Sequence, residues 1–429
     1  ATTYNAAQRR DGVAEDKLMF TEEMLEGFRT HSNPILYSDT DWTDLLIKDL
    51  AWQSQHNLSI SGGSDRVRYF ASLGVFTQKG QFETYHESDR GFSYNRYNYR
   101  INMDIDVTKT TSMKINLGGR LTDKTEPNYN NGTYTDLSYL YDNIYSAVPF
   151  SGAGIVDGRW IGVNQRVFGS FGVMNDGLGT YYGKGYSTTG GNVINFDFSL
   201  EQKLDIVTKG LKAHVKGAYN SGVTDKRRRE GRADRYEAFV SESGETLVRK
   251  TQEAQTLGWT QTTGQSRDWY LEAALNYQRN LGLHHVSALA MYNQNMKYYY
   301  SSSGVYAGIP RSYVGFVGRV TYDYNTRYLI DLSIGYNGSE NFAEGKRFGM
   351  FPAGSVGWII SEEKFMQPLK PYVSYLKLRA SYGIVGNDKV SDGSRFLYLP
   401  DSYTISTGNY GFGATSNNTL VGSKESKVG

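Results

Sequence analysis

The residues of this 429-residue chain that could bind a metal ion are six histidines and scattered acidic side chains. His284 and His285 are adjacent, and adjacent residues of a strand point to opposite faces, so the pair cannot hold one ion. Asp39, Asp41 and Asp44 begin like a calcium loop, but the glycine expected at the sixth place and the glutamate expected at the twelfth are absent. We interpret this acidic run as a polar turn or helix cap. The sequence predicts no metal site and no cofactor.

Several classes of catalysis are excluded by residue type and motif. The chain has no cysteine, which rules out disulfides, cysteine zinc sites, iron–sulfur ligation and thiol catalysis. Nucleophile-elbow, Walker and His-Glu-x-x-His patterns are missing. The 46 basic and 44 acidic side chains nearly cancel, so the total charge gives no reason to expect a nucleic-acid partner. We therefore predict a protein that is not an enzyme.

The elements that position these residues are predicted to be strands, because apolar and polar residues alternate with a period of two. In residues 97–107, for example, Tyr97 and Ile101 lie on one face while Arg100 and Asp104 lie on the other. The twelve predicted strands are 55–62, 66–76, 97–106, 112–121, 193–204, 211–220, 269–279, 284–294, 314–324, 328–337, 351–360 and 376–385. Only residues 13–29 have a helical pattern, with Thr21 as the predicted cap.

The connections between the predicted strands alternate between short and long. The long ones are 77–96, 122–192, 221–268, 295–313 and 338–350. Short turns on one rim and long loops on the other are typical of an all-β fold, the transmembrane antiparallel up-and-down β-barrel. We divide the chain into a polar segment with a short helix at the barrel rim (1–54), barrel strands with extracellular loops (55–386) and a further extracellular loop (387–429).

Charge distinguishes the two faces of the predicted strands. The apolar face of strand 66–76 is Val67, Tyr69, Ala71, Leu73 and Val75, and these faces in general avoid charged side chains. A charge that faces lipid at mid-depth costs roughly 2–4 kcal/mol, whereas a water-filled lumen accepts it. The polar residues predicted to face the lumen are Arg68, Arg100, Asp104, Lys114, Arg120, Arg319 and Arg379.

Aromatic residues occur where the two membrane interfaces are expected. Trp269 and Tyr277 lie near opposite ends of one predicted strand. Rings with a polar group prefer this depth and form girdles around membrane barrels. The alternative is that tyrosine is simply frequent in strands.

The long connection 122–192 is rich in Tyr, Gly and Asn, a composition that suits contact with sugar rings or peptides. The ligand-binding candidates in it are Trp160, Tyr181, Tyr182, Tyr129 and Tyr134. The alternative is a loop that packs on its neighbours. A second feature is the basic run KRRREGR at 226–232, which predicts either polyanion binding at the outer rim, where lipopolysaccharide phosphates are available, or a solvated loop.

Six sequence motifs resemble the barrel of SusC/RagA-type TonB-dependent transporters of Bacteroidetes. They are YSDTDW (37–42), NLSISGG (57–63), YFASLG (69–74), FPAGSVGW (351–358), LKLRASYG (376–383) and GND (386–388). Members of this family have a 22-strand barrel, an N-terminal plug domain and a TonB box. This chain has about twelve predicted strands and neither plug nor TonB box, so we expect it to be the central part of such a barrel.

The resemblance implies a location in the bacterial outer membrane, crossed many times, with membrane lipid around the barrel. It further implies energised uptake of an oligosaccharide or glycan, or in one branch a peptide, with a SusD-like surface lipoprotein and the TonB complex as partners. Two other functions stay open at this point. One is a passive porin or an adhesin on the same barrel, and the other is a soluble β-rich carbohydrate enzyme.

Overall fold

The computed structural model describes residues 1–128, 138–162, 176–180, 182–299, 308–388, 396 and 398. Strands dominate these residues. In chain order they are β1 (Gln53–Gly63), β2 (Val67–Lys79), β3 (Ser93–Asp106), β4 (Thr111–Pro127), β5 (Gly154–Val156), β6 (Arg159–Gly162), β7 (Gly185–Lys203), β8 (Leu211–Arg232), β9 (Arg235–Val240), β10 (Thr246–Gln252), β11 (Gln255–Leu281), β12 (His284–Tyr299), β13 (Arg311–Tyr324), β14 (Tyr328–Ser339), β15 (Phe348–Ile359) and β16 (Lys377–Gly383).

Twelve of these strands form one antiparallel sheet in the order β1-β2-β3-β4-β7-β8-β11-β12-β13-β14-β15-β16. Each corresponds to one of the twelve predicted strands, so the predicted meander is confirmed. Within the described residues the sheet does not close on itself, because β1 and β16 are its edges. The short turns all lie at one rim of the sheet and the long connections at the other, as an up-and-down arrangement requires.

Several strands continue well beyond the predicted ends on the long-connection side. β8 runs to Arg232 and β11 starts at Gln255, so much of the predicted loop 221–268 is paired strand. The prediction missed this part because both faces there are polar. Without an apolar face the period-two signal vanishes, although the backbone ladder continues.

A second, four-stranded sheet has the order β10-β9-β6-β5 and was not predicted. It joins two long connections that are far apart in sequence, since β6 pairs in parallel with β9 through Ile161 and Tyr236. Its strands are short, and successive residues of β6 are buried, so they give no alternation to detect.

The helices are α1 (Thr2–Arg10), α2 (Glu22–Thr30), α3 (Trp42–Leu46) and α4 (Ser138–Ser146). The prediction of one helix over 13–29 is wrong, because residues 15–17 form only a single 3-10 turn flanked by extended residues. The Thr21 cap is confirmed, since its hydroxyl accepts a hydrogen bond from the Met24 N–H at 3.2 Å. In the described part of the chain no helix is both long and apolar enough to cross a membrane.

The two faces of the twelve-stranded sheet differ as the alternation predicts. Along β14, Ile330, Leu332 and Ile334 share one face and are 42–56% exposed, whereas Asp331 and Ser333 share the other. Exposed apolar side chains recur on the same face across the sheet, among them Leu73, Phe196, Leu271, Phe316 and Met350. A continuous apolar surface of this kind requires an apolar surrounding such as lipid.

The largest buried apolar cluster of the described residues lies at the long-connection rim, and we name it the loop core. Its members are Trp42, Leu46, Phe82, Leu140, Ile144, Trp160, Leu178, Tyr182 and Ala233. They come from the N-terminal segment and from three different connections. The loop core therefore fixes these connections against one another above the end of the sheet.

Candidate functional site

The seven residues predicted to face the lumen all lie on the polar face of the sheet, which we name the polar wall. The register pairs Arg68 with Asp104 and Asp104 with Lys114, so these residues form a row across β2, β3 and β4. Charges of opposite sign alternate along this row. Arg68 also approaches Asp106, with 3.5 Å between Nη1 and Oδ2.

The remaining predicted residues lie elsewhere on the same wall. Arg100 is the register partner of Ser72, and Arg120 that of Asn98. Arg319 forms an ion pair with Asp331 of the neighbouring strand. Arg379 of β16 stands opposite Gly357. The structure thus distributes these side chains over the wall and does not gather them into one catalytic group.

A recess on the polar wall was missed by the sequence analysis. It has a volume of about 590 Å³ and spans β1, β2, β3, β4 and β7. Its polar lining contains the amides of Asn57, Asn98, Asn102, Asn116 and Asn195. An amide both donates and accepts hydrogen bonds, and the charged side chains Arg100 and Asp197 line the same recess, so it can bind hydroxyl or peptide groups. The available signal was the repeated asparagine on the polar side of successive strands.

Two of the five predicted ligand-binding aromatics are described, and both are buried. Trp160 and Tyr182 are each 5% exposed and belong to the loop core. Their rings meet edge to face with centroids 5.5 Å apart. Tyr129, Tyr134 and Tyr181 lie outside the described residues. In this arrangement Trp160 and Tyr182 pack as the alternative interpretation expects, and a ligand-binding role for the five stays a prediction.

A charged network surrounds Trp160. Its indole N–H donates to Asp176 Oδ2 at 3.1 Å, and the Gly179 N–H donates to Asp176 Oδ1 at 2.7 Å. Arg235 approaches the same carboxylate at 3.3 Å and lies over the Trp160 ring at 5.1 Å. Burial raises the pKa of Asp176, and the Arg235 charge opposes that shift. The network therefore fastens the four-stranded sheet to the loop core.

A second buried carboxylate, Asp89, links two connections. It is 3% exposed and accepts hydrogen bonds from the N–H groups of Gly183 and Gly185, at 2.8 and 3.1 Å. Burial raises its pKa to about 6, although both hydrogen bonds act in the opposite direction. Asp89 thus ties the β2–β3 connection to the start of β7.

The N-terminal segment is part of the same assembly. The Trp42 indole N–H donates to the Val148 carbonyl at 2.9 Å, and the Lys48 N–H donates to the Gln81 carbonyl at 2.6 Å. These bonds attach the segment to two of the long connections. The loop core and the N-terminal segment are consequently held together at the long-connection rim, above the polar wall.

The basic run at 226–232 forms the far end of β8 and is not a loop. Lys226 and Arg228 lie on the polar face, and Arg227 and Arg229 lie on the other. Arg227 pairs with Asp225 at 2.8 Å. The run therefore supplies cations to both faces above the apolar band. Among the described residues no three His, Asp or Glu side chains converge as a metal cluster.

An antiparallel meander with one exposed apolar face, one charged face and all long connections at one rim defines the wall of an outer-membrane β-barrel. Sequence comparison shows which outer-membrane proteins this chain is similar to. The chain is similar to the TonB-dependent receptor P39 of Formosa agariphila, with 26% identity over 362 residues that cover 82% of this chain and 33% of the relative. It is also similar to the TonB-dependent receptor SusC of Bacteroides thetaiotaomicron, with 38% identity over 87 residues, 20% of this chain and 8% of that one. No family model matches the chain.

Among solved structures, the RagAB peptide importer in its closed-closed state has the same fold as this chain. The TM-score is 0.56 at 17% identity, and the match covers 95% of this chain and 45% of that one. These comparisons confirm the predicted resemblance to SusC/RagA-type TonB-dependent transporters, and the fold is that of the wall of an outer-membrane β-barrel. The chain spans about a third of the length of the curated relatives that it matches over most of its residues.

Proposed function

We propose that this chain forms part of the wall of an energised outer-membrane importer for a bulky nutrient, either an oligosaccharide or glycan, or a peptide. The observation that carries the proposal is the combination of an amide-lined recess on a charged inner wall with a packed loop core above it. Such a surface binds a large polar ligand without reacting with it. The names of the similar proteins, receptors and a peptide importer, support import over catalysis.

The resemblance also supports an assignment of each segment of the chain to a part of the barrel. We propose that residues 55–386 supply the strands and extracellular connections, that 1–54 lie at the outer rim and that 387–429 form a further extracellular loop. A SusD-like surface lipoprotein would then meet the loop core from outside. The TonB complex would supply energy through parts of the protein other than this wall.

Energy dependence tests the proposal. Cells that express the full-length receptor are given the polymer or peptide that induces its operon, and uptake is measured before and after the proton-motive force is collapsed. We expect uptake to stop while the receptor stays in the membrane at the same level. Uptake that persists in de-energised cells would identify a passive porin instead. Surface binding with no uptake in either state would identify an adhesin.

The role of the recess in ligand binding is tested by substituting two asparagines of the same strand. Asn195 lines the recess, whereas Asn192 lies on the opposite face of β7. We expect Asn195→Ala to weaken ligand binding and energised uptake at matched surface expression, because the amide can no longer form a hydrogen bond with the ligand. Asn192→Ala is the control and leaves uptake unchanged. Equal uptake by the two variants would exclude this recess from the ligand path.

A soluble carbohydrate enzyme is the remaining alternative. It requires a carboxylate pair in a cleft and a protein that leaves the membrane without detergent. Fractionation of cells that express the full-length protein distinguishes the importer from the soluble enzyme. The proposal expects the protein only in the outer-membrane fraction that detergent dissolves.

A further inference from the structure

The outward face of the sheet carries an apolar recess directly beneath an arginine. The recess has a volume of about 420 Å³ and lies on β7, β8 and β11. Its walls are the rings of Phe196, Phe198, Tyr219 and Trp269, and its floor includes Gly217. A Cβ built at Gly217 would meet no atom within 4 Å, so the floor is open.

Arg267 lies on the same outward face, two residues beyond Trp269 towards the long-connection rim. Its register partners are Ser221 of β8 and Tyr298 of β12. The guanidinium carbon lies 4.3 Å from the centroid of the Tyr298 ring. This stacking holds a planar cation at a fixed height above the recess.

The depth of Arg267 in the membrane can be calculated from the two interfacial aromatic residues on its own strand, β11. Tyr277 and Trp269 are eight residues apart, about 26 Å along the strand, or roughly 20 Å of depth at a tilt of about 40°. They therefore bracket most of the apolar band. Arg267 lies about 5 Å of depth beyond Trp269, within the layer of lipid headgroups.

We propose that this recess and Arg267 together bind the phosphorylated glycolipid of the outer leaflet, with an acyl chain in the recess and a phosphate on the guanidinium. The long connections mark the extracellular side of a barrel, so the site faces the outer leaflet. A guanidinium presents donors in a geometry that matches phosphate. The recess is part of the apolar, lipid-facing surface of the sheet. We therefore infer that an acyl chain occupies it.

Charge further from the membrane favours a glycolipid over a phospholipid. Arg229 lies on the same face eight residues beyond Ser221, roughly 20 Å of depth above it for a tilted strand. Its register partner is Tyr186, and Arg90 lies over that ring at 5.3 Å. Phospholipid headgroups extend only about 5–7 Å. A headgroup with sugars and further anionic groups is long enough to reach these cations.

The test uses the full-length receptor purified from the outer membrane, with lipid binding measured by native mass spectrometry and by titration with labelled lipid A that retains its core sugars and their anionic groups. We expect one tightly bound lipid A, and about tenfold weaker binding in Arg267→Gln. Removing the phosphates from lipid A should weaken binding to the wild type by a similar factor. Gly217→Phe, which fills the recess, should weaken binding of both lipids.

Arg279 provides the matched control, because it lies on the same strand and the same face beyond Tyr277 at the opposite interface. Arg279→Gln should bind lipid A as the wild type does, and heat-modifiable gel mobility confirms that each variant is folded. Equal binding by Arg267→Gln and Arg279→Gln would overturn the site. Phosphatidylglycerol binding that equals lipid A binding would overturn the choice of a glycolipid. None of these outcomes depends on which nutrient is imported.

Discussion

Arg319 of β13 and Asp331 of β14 form an ion pair across the polar wall, with 3.0 Å between Arg319 Nε and Asp331 Oδ1. The register partner of Arg319 is Ser333, so the guanidinium reaches diagonally to the next residue on that face. Val320 and Leu332, each one residue further along, face the other way and are 47% and 56% exposed. Two adjacent strands thus place a charge pair and an exposed apolar pair on opposite sides of one backbone layer.

The two faces predict opposite effects of the same substitution at neighbouring positions. Leu117 lies on the apolar face of β4 and Asn116 on the polar wall. We expect Leu117→Arg in the full-length receptor to destabilise the folded barrel by about 2–4 kcal/mol, because the charge enters lipid. Asn116→Arg should fold normally. Heat-modifiable gel mobility and urea titration in liposomes measure both, and equal damage by the two changes would contradict the assignment of faces.

The buried Asp176 is expected to hold the four-stranded sheet against the loop core. Asp176→Asn removes the charge that pairs with Arg235, at a cost of up to about 3 kcal/mol, the lower end for a buried pair because the Arg235 side chain is 29% exposed. Limited proteolysis should then cut the long connections faster while the barrel keeps its heat-modifiable mobility.

Glu15→Gln is the control for that experiment, because Glu15 pairs with Arg9 at the surface, at 2.7 Å. Surface pairs contribute little, so proteolysis should not change. Equal cleavage rates in the Asp176→Asn variant and the wild type would show that the network does not fix the loops.

Asp89 makes the tether between two connections depend on pH. The pKa of Asp89 is about 6 when its carboxyl is buried against Gly183 and Gly185, and near 3.8 when the two connections separate and the carboxyl is in water. The closed arrangement therefore binds the proton more tightly than the separated one. The tether is therefore most stable below about pH 4 and loses up to about 3 kcal/mol as the pH rises through 6. Hydrogen exchange of the Gly183 and Gly185 amides, corrected for intrinsic rates, should show protection that declines over this window. A pH-independent protection would refute the assignment.

At the short-turn rim, Glu363 joins a turn to two strands. It accepts hydrogen bonds from the Tyr328 hydroxyl at 2.7 Å and from the Trp358 indole N–H at 3.1 Å. We expect Glu363→Ala to release the segment 360–376, which protease should cleave from the periplasmic side and not from outside intact cells. Glu362→Ala is the matched control, since Glu362 contacts only Lys370 among the ion pairs of the described residues. Cleavage from outside would reverse the orientation of the barrel.

The barrel strands could be placed from sequence because the membrane enforces the alternation. Every second residue of β14 must be apolar where lipid meets it, so Ile330 and Leu332 reveal both the strand and its face. That constraint ends above the membrane. The outer half of β8 is polar on both faces, with Arg228 on one and Arg227 on the other, and its pairing with β11 is visible only in the structure.

The loop core and the four-stranded sheet could not be predicted because their contacts join residues distant in sequence. Ile161 pairs with Tyr236, and Asp89 binds the backbone at Gly183. Local periodicity contains no information on such pairs. The composition of connection 122–192 made Trp160 a ligand-binding candidate, which stays a prediction, and the structure shows its side chain buried in the loop core.

The most direct test of the two-faced wall uses the absence of cysteine from this chain. Single cysteines are introduced along β14 at positions 330–335 of the full-length receptor, cleared of any other cysteine, and labelled with a nitroxide in lipid bilayers. Collision with oxygen, which concentrates in lipid, is then compared with collision with a water-soluble nickel complex. We expect high oxygen accessibility at Ile330, Leu332 and Ile334 and low oxygen accessibility at Asp331, Ser333 and Gly335. Uniform accessibility along the strand, or the opposite phase, would contradict the account.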